Sequence, residues 1–219
     1  MAQRYRAGFV AALLISGLAV SSPAMASNIV LNPGFETDDL APWVANPSSN
    51  GLPWVTTGPS GDAHTGQFYA STQCVGAQCM SPDPDPDGAW LYQDLVTTPG
   101  ATYDLSFWYT PDGAPNNFPP NDFAVLWNGV QVLDISNLST VFTFNLYTVS
   151  GLVASGATTR LEFLARQDRG FNGLDDVCVH TPGGDCAGVA AVPEPTSLIL
   201  LGSGLVGLRR RRLARARKS

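Results

Sequence analysis

The stretch from residue 27 to residue 182 consists of short runs rich in Val, Phe, Tyr, Trp and Thr, separated by Gly, Pro, Asn and Asp. Little of it shows the periodicity of an amphipathic helix. Short runs broken this often by turn residues are typical of an all-β sandwich. The stretch is also long enough to bury a substantial core. We therefore expect one β domain at 27–182, followed by a small-residue linker at 183–192.

Two features predict particular strands and turns. In residues 101–110, Tyr103 and every second residue after it share one face, which leaves Trp108 on the opposite face. Asn128-Gly129 separates two apolar runs and predicts a hairpin, because both turn positions need a positive φ.

The remaining runs are assigned by the same pattern. Residues 142–150 and 158–165 predict a second hairpin, which turns near residue 155, and residues 177–180 predict a closing strand. The polar stretch 46–62 predicts a loop at the rim of a binding face.

The charge of the domain excludes one class of partner. Residues 27–191 contain three Arg, no Lys and 17 acids, which gives a net charge of 3 − 17 = −14. A surface of this sign repels phosphate backbones, so nucleic acid is not an expected partner.

The N-terminal end reads as a secretory signal peptide, residues 1–26. Arg4 and Arg6 precede an apolar stretch at 7–20, and Ala24-Met25-Ala26 supplies a small-x-small cleavage site. This order predicts export through the inner membrane.

The C-terminal end, residues 193–219, has three parts in a fixed order. Pro193, Glu194 and Pro195 come first, and an apolar segment at 198–208, predicted to be a short helix, precedes the basic end at 209–219. Eleven apolar residues are few against the roughly 20 that span a bilayer. The basic end opens with four arginines: Arg209, Arg210, Arg211 and Arg212.

This tail resembles the PEP-CTERM sorting signal of exported proteins. The resemblance implies an exosortase-type membrane protease or transpeptidase as partner and transient membrane anchoring by the tail. It also implies a final location in the cell envelope or extracellular matrix of a Gram-negative bacterium. An ordinary single-pass tail anchor is the alternative.

The β domain resembles galactose-binding-like jelly rolls, which include carbohydrate-binding modules. The resemblance lies in residues 28–36 followed by Trp43, in His64-Thr65-Gly66, in residues 91–107 and in residues 173–177. It implies a jelly-roll β-sandwich.

The same resemblance implies a structural Ca²⁺ between the first and last strands. Its ligands would be Glu36, Asp175 and the backbone carbonyls around His64 and Gly66, with a further contribution from Asp62 or Asp176. A hard cation takes about 6–8 oxygen ligands. The alternative is that Glu36 and Asp175 only accept hydrogen bonds from turn N–H groups.

A second calcium candidate has the D-x-D-x-D-G spacing. It contains Asp83, Asp85 and Asp87, and Asp94 stands at the twelfth position. Two prolines stiffen this loop and no helices flank it, so a solvated acidic loop is the favoured alternative.

The four cysteines favour disulfides in an oxidising compartment. They are Cys74, Cys79, Cys178 and Cys186. Three pairings are possible, of which Cys74–Cys79 and Cys178–Cys186 are the simplest because their separations are short. A zinc site is the alternative, although no C-x₂-C spacing is present.

The tryptophans are candidates for stacking on a sugar, and Trp43, Trp108 and Trp127 are the rings that we select. Core packing is the alternative for each of them. No G-x-S-x-G or H-E-x-x-H motif is present. The sequence thus predicts an exported, non-catalytic protein that binds carbohydrate, such as exopolysaccharide. A structural or adhesive surface protein and, less favoured, a glycoside hydrolase are the alternatives.

Overall fold

The structure is a computed structural model of the 219-residue chain. It describes residues 27–46, 51–59, 61–113, 120–138, 143–168 and 170–186. The predicted signal peptide, most of the linker and the sorting tail lie outside the described residues. Within these ranges no helix has the length and apolar character needed to cross a membrane.

Ten strands and one short 3₁₀ helix, Ala77–Met80, make up the regular structure of the described ranges. The strands are β1 (Val44–Ala45), β2 (Gly51–Thr57), β3 (Tyr69–Cys74), β4 (Trp90–Val96), β5 (Thr102–Gly113), β6 (Asn121–Trp127), β7 (Val130–Ser136), β8 (Asn145–Val153), β9 (Thr158–Gln167) and β10 (Gly170–His180). Sheet A has the order β1-β4-β9-β6-β7 and sheet B the order β2-β3-β10-β5-β8. All pairs are antiparallel, so the prediction of an all-β sandwich is confirmed.

The core lies between the two sheets. Tyr103, Leu105, Phe107 and Tyr109 of β5 are all buried, as their alternation predicts. Phe107 meets Phe163 of sheet A with ring centroids 5.4 Å apart. Trp108 therefore points away from the core, onto the outer face of sheet B.

The hairpin at Asn128-Gly129 is confirmed. β6 pairs with β7, and φ is 53° at Asn128 and 77° at Gly129. The second predicted hairpin is wrong, because β8 pairs with β5 in sheet B whereas β9 pairs with β4 and β6 in sheet A. The connection between β8 and β9 crosses from one sheet to the other. The stretch 46–62 is also not only a loop, because it contains β2 and the buried Trp54.

The first segment of the domain is attached to its last strand. The N–H of Ile29 donates to the Val179 carbonyl at 2.8 Å, and the N–H of Val177 donates to the Pro33 carbonyl at 2.9 Å. The Asn28 side chain also donates to the Val177 carbonyl at 2.9 Å. These bonds bring the residues that follow Pro33 beside the middle of β10.

Both predicted disulfides are present, Cys74–Cys79 and Cys178–Cys186. Within the described part of the chain, the one group of three potential metal-ligating side chains within 4.8 Å of one another is Cys178, His180 and Cys186. Because its two sulfurs are bonded to each other, the zinc alternative does not apply to this group.

Candidate binding cleft and acidic cluster

Three acids surround Gly34. A Cβ placed on Gly34 would lie 3.3 Å from Asp176 Oδ1, 3.6 Å from Asp175 Oδ1 and 3.7 Å from Glu36 Cγ. Glu36 belongs to the first segment and the two aspartates to β10, so the cluster forms where these two parts of the chain are joined. The structure therefore places Glu36 and Asp175 in the same region, but the carboxylates of Glu36, Asp175 and Asp176 do not all lie within 4.8 Å of one another.

Asp175 is a fully buried carboxylate. Its Oδ2 accepts hydrogen bonds from the N–H groups of His64 at 2.9 Å and Thr65 at 3.3 Å, and its Oδ1 accepts one from the N–H of Asp176 at 2.8 Å. Burial, followed by the charge of Asp176, raises the pKa of Asp175 to about 7, although the three hydrogen bonds act in the opposite direction.

No arginine compensates this buried charge within the described ranges. Arg160 pairs with Asp83 and Asp94, and Arg166 pairs with Asp122 and Asp168. A buried carboxylate without a positive partner favours either a proton or a cation.

Glu36 contacts the loop that carries the H-T-G motif. Its carboxylate accepts hydrogen bonds from the N–H of Gln67 at 2.9 Å and of Phe68 at 3.0 Å. Gly66 has φ 66°, and a Cβ there would overlap the Glu36 carboxylate. Glycine at position 66 thus permits both the turn and the close approach. These bonds also match the alternative to calcium binding, in which the acids only accept hydrogen bonds from N–H groups of the turns.

The side chain of His64 links the acids to Trp108. Its Nδ1 lies 2.6 Å from Asp176 Oδ2, and its ring stacks on Trp108 with centroids 3.6 Å apart and an interplanar angle of 16°. Thr65 Oγ1 adds a hydrogen bond to Asp176 Oδ1 at 2.7 Å. The sequence predicted only a backbone role for His64. For Asp176, the adjacent pair Asp175-Asp176 is the feature of the sequence that could have indicated a place in the cluster.

A cleft with a volume of about 950 Å³ lies on the outer face of sheet B, beside Trp108. The first segment, the H-T-G loop, β5, β8 and β10 contribute to its wall. Its lining combines the apolar Trp108 and Leu146 with polar side chains. The polar residues include Asn28, Asn32, Thr65, Thr148 and His180.

Trp43 and Trp127 lie elsewhere. Each is 5% exposed in the core, and their indole N–H groups donate to the carbonyls of Asn32 and Val153, respectively. Neither ring presents a face for stacking, so the structure places only Trp108 of the three selected tryptophans in the cleft.

The second calcium candidate is not assembled. Arg160 binds the carboxylates of both Asp83 and Asp94, and Asp85 Oδ1 accepts the N–H of Asp87 at 2.9 Å. The carboxylates of Asp83, Asp85 and Asp87 do not come within 4.8 Å of one another as a set. Arg160 thus supplies positive charge to Asp83 and Asp94, which suits the alternative of a solvated acidic loop. A metal at Asp83, Asp85 and Asp87 stays a prediction.

Comparison with known proteins identifies the tail and the fold. The model of the PEP-CTERM protein-sorting motif matches residues 191–212. The chain thus carries the predicted motif, which implies export and membrane-anchored sorting. No curated protein matches this sequence.

Two solved structures share the fold. One is the carbohydrate-binding module TmCBM61 in complex with β-1,4-galactotriose, with 15% identity over 70% of this chain and 98% of the module, at a TM-score of 0.50. The other is a cyclase from Fischerella sp. TAU, with 19% identity over 74% of this chain and 100% of the cyclase, at a TM-score of 0.50. The jelly-roll sandwich is thereby confirmed, and the likeness extends to fold alone.

Proposed function

We propose that this chain is an exported, non-catalytic module of the cell envelope or extracellular matrix that binds a polysaccharide in the cleft beside Trp108. The observation that carries the proposal is the position of Trp108, which lies on the outer face of sheet B and lines an open cleft with polar side chains around it. The sorting motif supports the location, since it directs the chain out of the cytosol.

The chemistry of the cleft suits a sugar chain. Ligand sites are commonly clefts of roughly 300–1,000 Å³ in which apolar and aromatic groups supply contact area and a few polar groups fix orientation. The apolar faces of pyranose rings stack on indole rings, and the Thr148 hydroxyl can bond to sugar hydroxyls. Asn32 Nδ2 already donates to the Asp39 and Ala41 carbonyls, so the Asn32 side chain would act as an acceptor. TmCBM61, which has the same fold, binds a galactotriose.

A Ca²⁺ ion forms part of the proposal as a structural element. Glu36 and Asp175 would hold it, together with the backbone carbonyls around His64 and Gly66. The buried carboxylate of Asp175, which has no arginine partner within the described ranges, and the position of the acids around Gly34 support this assignment. When bound, the ion would neutralise the cluster and join the first segment to β10.

Replacement of Trp108 tests the sugar site. Trp108→Ala in the full chain should weaken binding to the glycan selected on an array by about tenfold or more, since buried aromatic contacts commonly contribute over about 1.4 kcal/mol. Isothermal titration with that glycan measures the loss, and thermal melting checks that the fold is intact.

Tyr92→Ala is the matched control, because Tyr92 is a half-buried aromatic on the outer face of sheet A, where it lies beneath Arg160. It should leave glycan binding unchanged. Unchanged binding by Trp108→Ala, or no binding of any glycan by the parent chain, would refute the proposed site. Release of free sugars from polysaccharide would instead indicate a hydrolase.

A further inference from the structure

Three turns meet at one end of the sandwich: residues 97–101, 128–129 and 154–157. The N–H of Thr97 donates to the Ala157 carbonyl at 3.0 Å, and the N–H of Gly100 donates to the Ala154 carbonyl at 2.8 Å. The Asn128 side chain donates to Ser155 Oγ at 2.8 Å. The three turns thus form one continuous surface, which we call the neutral end.

The neutral end contains no charged residue in any of its turns, whereas residues 27–191 carry a net charge of −14. The charged strand residues within three positions of these turns are Asp94 and Arg160, which pair with each other, and Asp104. Three valines border the turns with large exposed fractions. They are Val96 at 83%, Val130 at 66% and Val153 at 57%.

The chain leaves the described structure on the outer face of sheet B, where Cys186 lines the cleft, a few residues along β5 from the neutral end. β5 begins at Thr102, which is opposite Val153, and His180 at the end of β10 is opposite Asp104. The Cys178–Cys186 disulfide then holds the following segment against β10, and Cys186 Sγ lies 3.3 Å from Ser106 Oγ. Asp185 is the one charged residue of the segment 181–186.

The distance from this exit to the sorting motif is short. Six residues, 187–192, lie between Cys186 and Pro193. The seven Cα–Cα steps that join these two residues reach at most about 25 Å when fully extended. While the tail is held in a bilayer, the part of sheet B that holds Cys186, four residues along β5 from the neutral end, must therefore stay close to that bilayer.

We propose that the neutral end is a membrane-facing surface, and that its partner is the bilayer that holds this chain's own tail. This inference rests on the sorting function of the tail. An acidic domain tethered near anionic lipids is repelled over a Debye length of roughly 8–10 Å. The orientation of lowest free energy places the surface without carboxylates towards the lipid, where exposed valines lose contact with water.

Hydrogen–deuterium exchange on the full chain tests the orientation. The chain is measured in vesicles of phosphatidylethanolamine and phosphatidylglycerol and again in a nonionic detergent. Amides of residues 96–101, 128–131 and 153–157 should exchange several-fold more slowly in vesicles. The double variant Val130→Glu/Val153→Glu should lose this protection while it still floats with the vesicles.

Val55→Glu is the matched control, because Val55 is a valine with 46% exposure on β2. This strand pairs only with β3 and forms the edge of sheet B opposite β8. It should keep the protection. A parent chain that floats with vesicles but shows no slower exchange at the neutral end overturns the inference and leaves the sorting function intact. Protection that appears only when a membrane protease is added also overturns it, since the partner is then a protein. A chain that fails to float at all contradicts the sorting function itself.

Discussion

Glu162 is a buried carboxylate whose ionisation should affect the stability of this fold. It lies on the outer face of sheet A with 3% exposure, and its Oε1 accepts the N–H of Asp83 at 2.7 Å. Burial is the main cause that raises its pKa, with a further increase from Asp83, while the hydrogen bond and Arg160 oppose the shift. The folded state therefore binds a proton more tightly at this position than the unfolded state does.

The sign of the resulting pH dependence follows from linkage. A group with a raised pKa in the folded state contributes stability that is complete below its unfolded pKa and is lost as the pH rises through the folded pKa. Glu162→Gln keeps an oxygen acceptor for Asp83 and removes the ionisation. We expect this variant to be more stable than the parent at neutral pH and to lose less stability between acidic and neutral pH, as measured by urea unfolding over a pH series.

Asp134→Asn provides the comparison for this variant, since Asp134 is an exposed acid on β7. It should follow the pH profile of the parent chain. A Glu162→Gln protein that is less stable than the parent at neutral pH would contradict the interpretation of Glu162 as a strained carboxylate.

Single residues also show how much of the acidic cluster and the cleft could be predicted from the sequence. Glu36, Gly66 and Asp175 each belong to a short motif that indicates a common region of the fold, while their role as calcium ligands stays a prediction. Trp108 was predictable because it alternates with the buried Phe107. Alternation also places Trp127 on the same face as Phe123, which marks it as a core residue. The stacking of His64 on Trp108 was not predictable, because no local pattern joins residues so far apart in sequence.

Among the elements, the β6–β7 hairpin depends on the backbone of its turn. Gly129 has φ 77°, and a Cβ there would meet no atom within 4 Å. Strain in the left-handed region is therefore the only cost that a larger residue would add. Gly129→Ala should lower the free energy of unfolding by about 1–2 kcal/mol, which urea unfolding can measure.

Gly156→Ala is the internal control, since the nearest atom to its Cβ would be the Thr158 carbonyl oxygen at 3.5 Å, an ordinary contact, and Gly156 has no positive φ. It should be neutral or slightly stabilising, because alanine restricts the unfolded chain. Equal destabilisation by the two variants would show that space, and not φ, controls these turns.

The strands were predictable one by one, whereas their pairing was not. β8 and β9 flank a turn sequence that suits a hairpin, yet β8 is mostly exposed and β9 is mostly buried. Periodicity reports which side of a strand is apolar, but it does not report which strand lies next to it. β2 was missed because only Trp54 among its residues is fully buried, and the rest is polar enough to resemble a loop.

For the whole molecule, the join between the first segment and β10 matters both for the proposed calcium site and for the proposed membrane-facing end. The bonds from Ile29 and Asn28 to β10 set the position of Glu36 beside Asp175. They also keep the start of the domain close to the exit of the tail. A cation at the acidic cluster would strengthen this join, so its effect should appear in the stability of the entire domain.

We therefore expect Ca²⁺ to raise the melting temperature of the full chain in detergent relative to EDTA, since a ligand that binds only the folded state adds about 2.7 kcal/mol at a hundredfold excess over its dissociation constant. Glu36→Gln should abolish the difference, because it removes one charge from the cluster around Gly34. Asp85→Asn should retain it, because that acid belongs to the loop whose carboxylates do not converge. If Asp85→Asn removed the effect and Glu36→Gln did not, the cation would belong to the loop of residues 83–88, and Asp175 would be held in its buried position by its three N–H hydrogen bonds alone.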